Sequence, residues 1–219
     1  MDRRSLIKTM AALPIAAGVS SALAAEAGLP VLRPKRLRKG MTVGLVSPAS
    51  NVPEDENIAF AMDVVRSLGF QVKPARHLYQ RTQYLAGTDQ QRADDLNAMF
   101  ADKDVDAIFC LRGGYGSSRL LPLLDYELIA NNPKVLMGYS DITALHCAIS
   151  QRTGLVTFHG PIAGDNFTDY SYAQFRQTLM QARPNQRLAV PPPFEDPGPG
   201  RVEKENRLTV FNPGKGEGS

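Results

Sequence analysis

The chain has 219 residues, 43% of them hydrophobic and 21% charged, with a formal net charge of +3. This is a globular composition, long enough for one well-formed core with an appendage. The first 24 residues hold Asp2, Arg3, Arg4 and Lys8, a net +2, so the remainder is near neutral and gives no electrostatic ground for nucleic-acid binding.

Residues 1–24 read as an export signal. A basic start leads into an apolar stretch from Met10 to Val19, and Ala22-Leu23-Ala24 offers a small-residue cleavage site. The apolar stretch is shorter than the ~20 residues needed to span a bilayer. Arg3-Arg4 followed by Ser5-Leu6-Ile7-Lys8 resembles a twin-arginine signal, although an ordinary secretory signal also fits. Either version predicts an exported, periplasmic protein with no membrane span after signal cleavage. Residues 25–40, ending in "RPKRLRKG", read as a solvated tether.

From there the pattern alternates. "MTVGLVSPAS" predicts a strand and its exit loop, and Glu54 to Leu68 a helix with Ile58, Ala61, Met62 and Val65 on one face. "GFQVKPA" predicts a second strand, and Thr88 to Phe100 a second helix. Residues 105–111, "VDAIFCL", are apolar enough for a strand buried on both faces. A helix is expected from Ser117 to Leu124. "KVLMG" is the fourth strand, Asp141 to Gln151 its helix, and residues 154–161 the fifth strand. The alternation predicts an α/β fold with a doubly wound, mostly parallel sheet. Beyond Pro161 the signal weakens to one helix, Tyr172 to Gln181. A proline-rich linker at residues 191–200 and a short strand from Leu208 to Phe211 follow. The expected organisation is an α/β domain over 41–190, then a linker and the start of a second domain over 191–219.

Ligands of open α/β sheets sit at the carboxyl ends of the strands. Three loops lie there: "SPAS" after strand 1, "RGGYGSS" after strand 3 and "GYSD" after strand 4. In the last, Ser140 stands between a strand and a helix. Its hydroxyl would be exposed, and the N–H of Asp141 would face an oxyanion formed on an attacked carbonyl. The hydrolase pattern is G-x-S-x-G; here the second glycine is replaced by Ile142. The same residues also fit a plain helix cap by Ser140 or Asp141. Gly113 and Gly114 permit close backbone approach and offer a second oxyanion donor. A phosphate cradle is the rival use of that loop, but neither phosphate-loop pattern is present.

A serine nucleophile requires a base. His77 reads as a surface residue, His146 falls on the wrong side of its helix to reach Ser140, and His159 reads as structural at the end of strand 5. No His/Cys/Asp/Glu cluster has metal-ligand spacing, so no metal and no cofactor is expected. Cys110 and Cys147 read as buried free thiols, with a bridge left open by export.

"VSPAS", "YLAGTDQQRADDLNAMF", "AIFCLRGGYGSSRLLPLLD", "PKVLMGYSDITALH" and "GLVTFHGP", in this order and spacing, resemble the LD-carboxypeptidases. These are the muramoyltetrapeptide carboxypeptidases and the related microcin C self-immunity peptidases. The resemblance covers roughly residues 35–215. It implies a flavodoxin-like N-terminal domain and a serine peptidase that releases the terminal D-alanine of murein tetrapeptides, in peptidoglycan recycling or remodelling. It implies Ser140 as nucleophile and the Asp141 and Gly114 N–H groups, beside Gly113, as the oxyanion hole. In that family the base is a histidine oriented by a glutamate, both in a C-terminal domain that opens with a glycine-rich segment. The sequence ends at "NPGKGEGS", and Glu195, Glu203 and Glu205 match nothing catalytic. The expectation is a truncated, impaired enzyme. The alternatives are a non-catalytic muropeptide-binding protein and a nucleotide or phosphate binder. The murein tetrapeptide is the expected partner, with a homodimer possible.

Overall fold

The computed structural model describes residues 29–165 and 167–188. The expected export signal and linker, the strand expected at 208–211 and Glu195, Glu203 and Glu205 lie outside the described residues.

Five strands form one sheet: β1 (Thr42–Val46), β2 (Gln71–Pro74), β3 (Ala107–Cys110), β4 (Val135–Gly138) and β5 (Phe158–His159). Their order is β2-β1-β3-β4-β5, and every pair is parallel. The helices are α1 (Asp55–Ser67), α2 (Asp89–Ala101), α3 (Tyr126–Asn131), α4 (Thr143–Thr153) and α5 (Asp169–Phe175). This is the doubly wound α/β architecture, with the reversal of strand order falling between β1 and β3.

Register shows that both faces are covered. Gly44 pairs with Ile108 and Leu45 with Phe109, so the two pairs point to opposite faces. On the first face α2 lies so close that a side chain on Gly44 would sit 2.6 Å from the Met99 sulfur. On the second face Phe175 of α5 packs edge-on to Phe109 and Phe70, with ring centroids 6.1 and 6.2 Å away. Every residue of β3 and β4 is buried, as their unbroken apolar runs require.

The helices carry their own start signals. Asp55 and Glu56 open α1 and Arg66 closes it, in the sense the helix dipole favours. Thr88 and Gln91 form a reciprocal capping box on α2.

Several sequence expectations change. Residues Ser117–Leu123 form a 3-10 helix, because Pro122 lacks the N–H that an α-helix would direct at Ser118; α3 follows as a separate element. The helix after β4 begins with a 3-10 turn, Ser140–Ile142, and the last expected helix splits into α5 and a π-turn at Arg176–Met180. The fifth strand shrinks to two residues, because Leu155 bridges Leu32. The tether is therefore docked from Leu32 onward: the Leu32 N–H donates to Gly154 O at 2.8 Å, Leu37 N–H to Leu179 O at 2.9 Å, and Leu37 is buried. Cys110 is buried, but Cys147 is exposed, since α4 turns its neighbours Leu145, His146 and Ile149 inward instead; both thiols are free. His77 is no simple surface residue. Its Nδ1 lies 2.8 Å from the Asp95 carboxylate, and its side chain is only 17% exposed.

Candidate active site

The chain leaves buried β4 at Gly138 and passes through extended Tyr139 to Ser140, whose φ is +63°. A non-glycine residue in the left-handed region costs on the order of 1–3 kcal/mol and persists only when its surroundings fix it. Ser140 is exposed, while Ile142, two residues on, is fully buried. Ile142 fills the position where the hydrolase pattern has glycine, its Cγ atoms 3.1 and 3.2 Å from the point a side chain on Gly138 would reach. The turn is thus closed by packing of Ile142 onto the end of β4.

The glycine loop after β3 presses on this turn. A side chain on Gly113 would start 3.1 Å from both Ser140 Cβ and Tyr139 O, and 3.5 Å from Asp141 N. A side chain there would require the serine turn to give by a few tenths of an ångström. Gly114 has φ +101°, and a methyl on it would fall 2.3 Å from Ser50 Oγ. Ser50 belongs to the loop after β1. Its N–H donates to Gly113 O at 3.1 Å, and its hydroxyl accepts from the Tyr115 N–H at 3.2 Å. The loop after β1 is therefore joined to the glycine loop, which in turn presses on the serine turn.

Neither Ser140 nor Asp141 caps the helix among the described residues: the 3-10 turn and α4 both start without a side-chain cap. The Asp141 carboxylate instead accepts from the Ser117 N–H at 2.8 Å, and the Ser117 hydroxyl donates to Asp141 O. Asp141 thus ties the serine turn to the glycine loop with its side chain, leaving its main chain beside Ser140 and Gly113.

A residue absent from the sequence expectations holds the other side. Arg92 of α2 is 1% exposed. Its Nη1 donates to Pro48 O at 2.6 Å and Gly116 O at 3.0 Å, and its Nη2 pairs with Asp89. One guanidinium therefore joins the exit loops of β1 and β3. Asp89 also takes a bidentate contact from Arg119, at 2.7 to 2.9 Å, which holds its carboxyl below the ordinary range.

His146 is buried, with Nε2 2.9 Å from Gly138 O. The carbonyl only accepts, so Nε2 carries the proton and Nδ1 is an unpartnered acceptor. Burial, opposed in part by that hydrogen bond and aided by neighbouring His159, pushes its pKa below the usual value. Below the unfolded histidine value the unfolded chain then binds more protons than the folded one, so His146 costs stability as pH falls from neutrality. His146→Gln keeps a donor and cannot titrate. Its melting temperature is expected to fall less than that of the wild type between pH 7 and pH 5, and parallel curves would refute the effect.

His159 is exposed at the end of β5, its ring 6.2 Å from Tyr139 and 6.3 Å from His146. The histidine nitrogens with hydrogen-bond partners are on Gly138 O and Asp95, neither on Ser140. Among the described residues no three His, Cys, Asp or Glu could hold a metal ion, and no helix is long and apolar enough to cross a membrane. A cleft of about 780 Å³ lies by the start of β4, lined in part by Arg33, Lys35, Arg36 and Arg183; it contains no part of the serine turn.

An exposed serine on a strained turn, with the Asp141 N–H next to it and the Gly113 α-carbon packed alongside, is an arrangement that acyl transfer can use. The family described as the LD-carboxypeptidase N-terminal domain matches residues 43–160. The probable murein peptide carboxypeptidase of Bacillus subtilis is 40% identical over 186 residues, 85% of this chain and 55% of that protein. The murein tetrapeptide carboxypeptidase of Pseudomonas aeruginosa is 42% identical over 122 residues, 55% of this chain and 39% of the other. An MccF-like protein from Bacillus anthracis has a similar structure, with TM-score 0.65 at 36% identity, covering 68% of this chain and 47% of that one. The chain spans about half the length of the curated relatives it matches.

Proposed function

This chain belongs to the LD-carboxypeptidase family, and on that premise we propose that residues 41–190 are the nucleophile-bearing part of a serine peptidase releasing the terminal D-alanine of murein tetrapeptides. The observation that carries the reading is Ser140 at φ +63°, exposed, with the Gly113 α-carbon against it. In this mechanism Ser140 Oγ attacks the carbonyl carbon of the bond to D-alanine while a base takes its proton. The N–H groups of Asp141 and Gly114 stabilise the oxyanion. Collapse breaks the C–N bond, the base returns the proton to the leaving amine, and water hydrolyses the ester. In the family the base is a histidine of a C-terminal domain, and in this chain His77 and His146 are bonded to Asp95 and Gly138 O rather than to Ser140. The family's murein-acting relatives support the substrate class. The signal at residues 1–24 supports a periplasmic setting, where murein peptides are met.

The test is D-alanine release from a murein tetrapeptide by the purified full chain, with peptide binding measured alongside. Release establishes the reading. Binding with fluorophosphonate labelling of Ser140 but without release keeps Ser140 as a nucleophile short of its base, binding with neither assigns the chain as a muropeptide-binding protein instead, and absence of binding and release discards the substrate class.

Gly114→Ala tests the loop separately. The substitution forces alanine to φ +101° and onto Ser50, so the loop must move. Losing one oxyanion donor typically costs about 10²–10³-fold in turnover. Release is expected to fall by about that factor with KM little changed. Unaltered turnover would remove Gly114 from the oxyanion hole.

A further inference from the structure

We propose that Arg112 receives the α-carboxylate of the peptide that Ser140 attacks, and so makes the site an exopeptidase site. The proposal rests on the peptidase reading above. A carboxypeptidase must recognise a carboxylate one residue beyond the scissile carbonyl, about 3.5 Å of chain away. The cation that does so has to reach the immediate surroundings of the nucleophile.

Four arginines stand on or behind the loops of the site, and three are committed. Arg92 is buried on two carbonyls and Asp89. Arg119 holds both oxygens of Asp89. Arg81 is paired with Asp55 and bonded to Val52 O and Tyr79 O. Arg112 differs. It is exposed, makes one hydrogen bond, from Nη1 to Asn51 O at 2.8 Å, and has no ion pair among the described residues. A guanidinium has five donors, so a carboxylate-binding fork remains.

Its place in the chain is the second observation. Arg112 immediately precedes Gly113, the residue whose α-carbon lies against Ser140. Adjacent α-carbons are about 3.8 Å apart, so the guanidinium is within side-chain reach of a leaving residue at the serine.

The third is its support. Asn51, which takes the Arg112 contact, is itself fixed. Its N–H donates to Tyr84 O at 2.9 Å, and its side-chain amide to Gln83 O at 2.7 Å and Leu85 O at 3.2 Å. The arginine thus rests on a braced main chain, which lowers the entropy lost on binding. The same brace seats Tyr84, whose ring lies 5.9 Å from that of Tyr115; both are half-exposed and form an aromatic wall on this side of the glycine loop.

The experiment uses the full chain carrying Ser140→Ala, so that no turnover occurs. Calorimetry compares a murein tetrapeptide as free acid with the same peptide as C-terminal carboxamide. Charge-assisted hydrogen bonds correspond to roughly 10–100-fold in affinity. The parent is expected to bind the acid about 10-fold or more tightly than the amide. Arg112→Gln is expected to erase that preference while binding the amide as before, and Arg112→Lys to restore part of it. Acid preference persisting in Arg112→Gln overturns the proposal and leaves the peptidase reading standing. So does equal binding of acid and amide by the parent, or an equal loss of both ligands in Arg112→Gln, which would mark a structural role. A parent that binds neither peptide overturns both.

Discussion

Ser140→Ala is expected to abolish D-alanine release, a loss of at least about 10³-fold, with peptide binding retained. The size follows from chemistry: alanine offers no oxygen to form the ester, and what remains is binding and oxyanion stabilisation by the loops. Fluorophosphonate labelling of the wild type, absent in the variant, gives a readout independent of the peptide. The backbone adds a second measurement. Ser140 is held at φ +63°, and alanine inherits that strain. Glycine does not, so Ser140→Gly is expected to be equally inactive yet more stable than Ser140→Ala, by about 1 kcal/mol in urea unfolding. If glycine gives no gain over alanine, the turn is not a strained one. If Ser140→Ala retains release, the nucleophile lies elsewhere.

The largest loss of stability is expected from Arg92→Met, about 3–5 kcal/mol, read as a lowered denaturant midpoint. The ion pair is not the main cause, since Asp89 keeps its bidentate partner Arg119. The cost comes from Pro48 O, which loses its donor in a dry interior at about 1–3 kcal/mol, from Gly116 O, which is left with the Arg119 N–H at 3.3 Å, and from lost packing of a 1%-exposed side chain. Gly116 belongs to the glycine loop that presses on Ser140 and Pro48 to the loop joined to it, so activity should fall beyond what partial unfolding explains. Arg92→Lys can serve only part of the set and is expected to recover less than half. A Met variant within 1 kcal/mol of wild type would mean that water or rearranged backbone satisfies the carbonyls.

The fold was legible where burial left a signature in the chain. β3 and β4 are covered on both faces, so their residues had to be apolar without interruption, and α2 announces itself through Thr88 and Gln91. What was not legible depended on partners distant in sequence. Nothing in "RPKRLRKG" shows that Leu37 will be buried against Leu179, or that Leu32 will take over the pairing of Leu155. The serine turn divides the same way. Its position between strand and helix could be read, but φ at Ser140 is set by Gly113 and Ile142 closing in from either side. Arg92 carried a readable sign that went unused. It lies at the i, i+4 and i+7 spacing of Leu96 and Met99, and an arginine on the buried face of a helix needs buried acceptors.

The sheet has two open sides, and each is blunted. β2 presents exposed Lys73 and Pro74, the second with no N–H to give, and β5 is two residues long with Leu32 bridged to Leu155 beside it. Among the described residues, neither side offers a long row of free main-chain groups on which another copy could lay a strand. Self-association through the described residues is then confined to side-chain surfaces. It would leave the five-stranded sheet ending where it does now, with no continuous intermolecular sheet built on β2 or β5.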